Sequence, residues 1–83
     1  MMNTKLHIIY TESSILLSKT DYQSWQDVQR DFEDYKTSLG PWPDVEVTEY
    51  LDDEYPSILP SAEVQIAAFR RSNAAVVEIQ FAT

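Results

Sequence analysis

Apolar and polar positions along the chain divide it into stretches of different period. Leu6-His7-Ile8-Ile9-Tyr10 is rich in β-formers, and Ile15-Leu16-Leu17 resumes the pattern after Glu12-Ser13. A two-residue turn at Glu12-Ser13 sets Tyr10 opposite Ile15 and Ile8 opposite Leu17. The inward sets of both strands then agree, and the spacing predicts a hairpin. From Ser24 the period becomes helical, with Trp25, Val28, Phe32, Tyr35 and Leu39 recurring at intervals of three and four. Ser24 is a suitable N-cap, and Asp27 falls at the third helical position, where a carboxylate favours orphan amides and the positive dipole end. Gly40, the only glycine, followed by Pro41 supplies the stop. The pattern therefore predicts one helix from Ser24 to Gly40.

Beyond a stiff Pro41-Trp42-Pro43 connector, the alternation of Val45-Glu46-Val47-Thr48-Glu49-Tyr50-Leu51 predicts a third strand. The prolines of Pro56-Ser57-Ile58-Leu59-Pro60 deny ladder donors and predict a loop, with Ile58 and Leu59 closing one end of the core. A turn at Ser72-Asn73 would pair Ala68 with Val77, Ile66 with Ile79 and Val64 with Phe81 on one face. The other face would carry Gln65 with Gln80, Ala67 with Glu78 and Phe69 with Val76. The expected fold is a single α+β domain over residues 1–83, an antiparallel sheet in ββαβββ order with one amphipathic helix packed on one face. One helix covers one side only. Ile9, Leu16, Tyr50, Phe69 and Val76, among His7, Thr48, Gln65 and Gln80, would then form an open face suited to homodimerisation or docking.

Size limits what such a fold can do. A chain of 83 residues buries only about 60% of the surface its unfolded form exposes, enough for one modest core and too little for a deep active site. The hydrophobic fraction of 43% and aromatic fraction of 12% are those of a globular protein rather than an acidic disordered tail. Without cysteine there is no disulfide framework, thiolate zinc site or thiol chemistry, a composition compatible with the cytoplasm. Leu6–Tyr10 is too short for a secretory core or a membrane span, so no membrane association is expected.

Charge narrows the class of partner. Fourteen acids against six bases give a net charge of -8, which disfavours direct binding to nucleic acid and favours a basic partner. The charge is regional: eleven acids lie between positions 21 and 54 against Arg30 and Lys36, a local net charge of -9. On the expected helix Asp27, Asp31 and Asp34 form one stripe, spaced by about 4.5 to 6 Å along the axis, of the order of the charge repeat of a nucleic-acid strand. Trp42 sits on a backbone stiffened by two prolines and would lose little entropy on binding, while packing against the helix and core is the favoured role for a tryptophan in so small a domain. Tyr22, Tyr35, Tyr50 and Tyr55 lie in or beside the acidic segment, a composition suited to arginine-rich surfaces.

Catalytic chemistry has little to work with. His7 is the only histidine, and as a mid-strand residue it reads as half-buried structure rather than as part of a triad. One glycine cannot build a phosphate loop, and Asp52-Asp53-Glu54 lacks the alternating ligands and glycine of a calcium loop. No catalytic, metal or cofactor residue is assigned, and an enzyme is not expected. The expected partner-binding set is Asp27, Asp31, Asp34, Trp42, Glu49, Asp52, Asp53 and Glu54, directed at a basic protein surface of the kind that binds nucleic acid. In size and charge the chain resembles small anti-defence proteins, nucleic-acid mimics and toxin-immunity proteins, with no motif assigning a family. The alternative expectation is a structural or assembly accessory that uses the open sheet face.

Overall fold

The computed structural model describes residues 5–82. Its first hairpin joins β1 (Lys5–Thr11) to β2 (Ile15–Ser18) with Ile8 opposite Leu17 and Tyr10 opposite Ile15, the register the alternation predicts. The turn lacks the usual Gly or Asn, and side chains substitute. Thr11 Oγ1 accepts the Ser14 N–H at 3.0 Å, while the Thr11 N–H donates to the Ser14 carbonyl at 3.0 Å.

The predicted long helix divides. Only α1 (Trp25–Asp31) is helical; Phe32 caps it with extended dihedrals, and a short turn leads into β3 (Tyr35–Pro43). Tyr35 and Leu39 fit a helical period and equally a strand. What decides is the free edge of β1, whose backbone groups find ladder partners in β3, with Leu6 opposite Trp42, Ile8 opposite Leu39 and Tyr10 opposite Thr37. Gly40 is not a helix terminator. The pairing jumps from Leu6↔Trp42 to Ile8↔Leu39, so Gly40 and Pro41 together oppose His7 in a β-bulge. Gly40 has φ +107°, and a Cβ there would stand 2.7 Å from the Leu6 carbonyl oxygen, which explains why glycine occupies this position.

Two expected strands are helices. The segment read as a third strand is α2 (Asp44–Glu54), which buries Val47 and Leu51 and leaves Val45 61% exposed. Alternation would have buried Val45 with Val47; the core instead takes the pair four residues apart. The first arm of the expected last hairpin is α3 (Ala62–Arg71), burying Ala62, Ile66 and Phe69 and exposing Val64. Ser61 caps α3, its side chain accepting the Val64 N–H at 3.3 Å. The second arm survives as β4 (Val76–Glu78), paired with β2 so that Val77 faces Leu17. Gln65 and Gln80 are neighbours as predicted, but through a side-chain clamp. Gln65 Oε1 accepts the Gln80 N–H at 2.9 Å and Gln65 Nε2 donates to the Gln80 carbonyl at 3.0 Å. Between α2 and α3 the proline-rich segment is a loop, bridged to Phe81 through Ile58; Ile58 packs on the core while Leu59 is exposed.

Over the described residues the result is an α+β fold with a four-stranded antiparallel sheet in the order β3-β1-β2-β4 and three helices. Leu6, Ile8 and Leu17 meet Val47, Leu51, Ala62, Ile66 and Phe69 in one core under α2 and α3. The opposite pleat of β1 carries His7, Ile9 and Thr11, and α1 lies on that side with Val28 buried. The expected open face does not form as a set, although Leu16 and Val76 on β2 and β4 remain partly exposed. Ile9 is wholly buried, Phe69 and Tyr50 belong to helices packed on the other side, and Thr48 and Gln65 are helical. Among the described residues, no helix is long and apolar enough to cross a membrane.

Candidate functional site

The acids of the central segment are brought to two places, one on each side of the sheet. On the first, α2 carries Asp44, Glu46, Glu49, Asp52, Asp53 and Glu54 and no basic residue. Val47 and Leu51 turn the helix so that Glu46, Glu49 and Asp53, at i, i+3 and i+7, share its outer face, all exposed. Asp44 is engaged, ion-paired with Arg70 of α3; the exposed acids of α2 make no ion pair among the described residues. Asp44 and Glu46 suit the positive helix end. Asp52, Asp53 and Glu54 occupy the last turn, where the dipole and the like charges both oppose them.

On the second side, Asp27 is committed to local structure. It pairs with Arg30, and its Oδ2 accepts the Gln23 N–H at 3.2 Å. Asp31 is exposed at the end of α1, and Asp34 lies beyond the helix in the turn before β3. The predicted Asp27, Asp31, Asp34 stripe is thus not formed, and Glu46 of α2, absent from the predicted set, is the acid that completes one.

Trp42 is half-buried rather than presented. Its ring meets Tyr50 edge-on at 5.5 Å, and the contacts continue through Tyr55 to Phe81. Beneath this row the Tyr10 hydroxyl bonds those of Tyr50 and Tyr55 at 2.8 and 2.9 Å. Burial, reinforced by these two bonds, raises the Tyr10 pKa above its ordinary value. The network ties β1 to α2 and its following turn.

Sequence reasoning missed a second feature. At the Gly40 bulge a cavity of 290 Å³ opens between the sheet and α1, bounded by His7, Tyr22, Ser24, Trp25, Ser38 and Pro41 among others. His7 is 6% exposed and its imidazole makes no hydrogen bond to the described residues, although neither ring nitrogen is sealed from solvent. The Tyr22 ring meets it edge-on at 4.9 Å and is held by a 3.1 Å bond from its hydroxyl to Ser18 Oγ. Burial lowers the His7 pKa, partly opposed by Asp21, so the ring is neutral at neutral pH. The signal available in the sequence was a lone Gly-Pro pair placed to interrupt a ladder opposite a lone histidine.

A second hollow, an apolar groove of 370 Å³, runs between α3 and β4 past Val64, Ala68 and Val77. Among the described residues no three His, Asp or Glu side chains converge as metal ligands. Comparison with known proteins finds no matching family model, no similar curated protein and no similar solved structure.

Proposed function

We propose that the protein is a non-enzymatic binding protein that occludes a basic surface of a partner protein, of the kind that binds nucleic acid, with α2 as the main contact. The observation that carries this reading is the charge of α2, six acids and no base on eleven residues. Three of those acids stand in the last turn, against the helix dipole, where local stability gains nothing from them. Exposed acids without cationic neighbours retain their full charge for a partner, and their field accelerates encounter with a basic surface. Asp27 and Asp31 belong to α1, on the other side of the sheet from α2, and Asp34 to the turn beyond it; they contribute to long-range attraction rather than to the same contact. Trp42 serves as packing behind α2.

Replacing Glu46 and Glu49 with Gln and Asp53 with Asn tests the reading. The native partner is first isolated by affinity capture from the source organism and its binding kinetics measured at low and high salt. Fold stability should hold or rise, because like-charge repulsion on an exposed face is removed. The association rate should fall and lose most of its salt dependence. Unchanged affinity and salt dependence would return α2 to the status of a solvated face.

A further inference from the structure

We propose that the cavity at the Gly40 bulge is a binding site for a guanidinium group, the side-chain head of an arginine. The site is built rather than incidental. Gly40 alone permits the bulge, since a Cβ would collide with the Leu6 carbonyl and approach His7 Cα to 3.3 Å. The bulge places His7 at the cavity wall, more than nine-tenths buried and without a hydrogen-bond partner among the described residues. Its nitrogens are open to solvent rather than sealed, so a ligand seated there can take up the hydrogen-bonding capacity that the fold leaves free.

The lining selects for a donor-rich cation. No Lys, Arg, Asp or Glu borders the cavity, and the acids nearest its lining residues in the chain are Asp21, beside Tyr22, and Asp27, beside Val28. Anions are therefore disfavoured. Pro41 removes a backbone donor from the wall, and neutral His7 retains one acceptor nitrogen. The Ser24 hydroxyl does not cap α1, so it too is available as an acceptor. Trp25, at the rim, is 57% exposed despite its size, and the face of an indole is the preferred seat of a planar cation. Guanidinium presents five donors in one plane and can meet acceptors while stacking; an ammonium offers a compact point charge that stays hydrated. A volume of 290 Å³ holds the group with its aliphatic stem. The cavity lies across the sheet from α2, so this site and the acidic-helix reading stand or fall separately.

Because the chain has one histidine and two tryptophans, the His7 ring and Trp25 indole resonances report on the cavity directly by NMR. Titration with N-acetyl-arginine amide should shift both saturably, whereas N-acetyl-lysine amide and adenosine should bind at least about tenfold more weakly. Trp25→Ala, at an exposed position, should weaken the arginine probe by about tenfold with the unfolding midpoint unchanged. His7→Phe should abolish the response at Trp25. Free L-arginine distinguishes the source: binding equal to that of the amide points to a small molecule, and weaker binding to an arginine within a polypeptide. The proposal is overturned if the arginine probe gives no saturable shift at His7, if the lysine probe or adenosine matches it, or if Trp25→Ala binds as tightly as wild type.

Discussion

The two faces of the sheet are built to different standards. Under α2 and α3, Leu6, Ile8, Leu17, Val47, Leu51, Ile66 and Phe69 form a continuous apolar core edged by the tyrosine hydroxyl network. Under α1, Ile9 and Val28 are buried beside His7, Thr11 and Ser18, and a cavity remains. A small chain has apolar surface enough to seal one face well. Stability is therefore concentrated on the α2/α3 side, and the α1 side can hold polar groups and empty volume without unfolding the whole. Strain and incomplete packing collect where binding groups lie.

Core truncation tests this contrast most severely. Phe69→Ala removes a ring from the centre of the well-packed side and should cost about 3 to 5 kcal/mol. Val28→Ala, the only fully buried residue of α1, should cost about 1.5 kcal/mol at ~0.8 kcal/mol per lost methylene. Denaturant unfolding of both variants measures the two losses, and a Val28→Ala loss as large as that of Phe69→Ala, from so much smaller a truncation, would overturn the contrast. Gly40→Ala comes next. Its φ of +107° and the 2.7 Å approach to the Leu6 carbonyl involve backbone that cannot move cheaply, so about 1 to 3 kcal/mol is expected. The same change should perturb the His7 resonance while leaving those of Ile66 and Phe69 in place, because the bulge lies on the α1 side.

The smallest effect sharpens the comparison through pH. Burial holds the folded pKa of His7 below 6.5, so as pH falls the unfolded chain takes up the proton first. The neutral-histidine contribution to stability is thus complete above pH 6.5 and is lost as pH drops towards the folded pKa. Stability measured at about pH 7.5 and about pH 5.5 should decline in the wild type and decline less in His7→Gln, the difference isolating His7 from the carboxylates. Identical slopes would place the imidazole in a solvent-like environment.

Local interactions were legible in the chain; choices between competing partners were not. The β1-β2 hairpin follows from its own alternation and a short turn, and all its determinants lie within Leu6 to Leu17. The helix start at Ser24 and the proline-bounded loop are similarly local. The 45–51 and 64–69 stretches satisfy both periods. Val45/Val47 and Val64/Ile66 alternate, while Val47/Leu51 and Ala62/Ile66/Phe69 recur at helical spacing, and only packing against β1 and β2 decides which set is buried. Pro43 and Ser61 stand immediately before the two helices, and Ser61 caps the second, local features that the β-branched alternation masks in the sequence.

The candidate sites divide in the same way. The acidity of residues 21–54 is a property of composition and needs no fold to be read. Which acids share a surface depends on where α1 ends, and it ends because β1 has a second edge to fill. His7 illustrates the limit most plainly, since its place at a cavity depends on a bulge 33 positions away at Gly40. By itself the sequence determined the first hairpin, the mixed α and β character, the loop and the regional charge, because each rests on neighbours along the chain. Tertiary structure alone decided that residues 44–54 and 62–71 are helices, that helices lie on both sides of the sheet and that Gly40 opens a pocket beside His7. Those outcomes depend on which backbone groups and apolar side chains find partners across the fold.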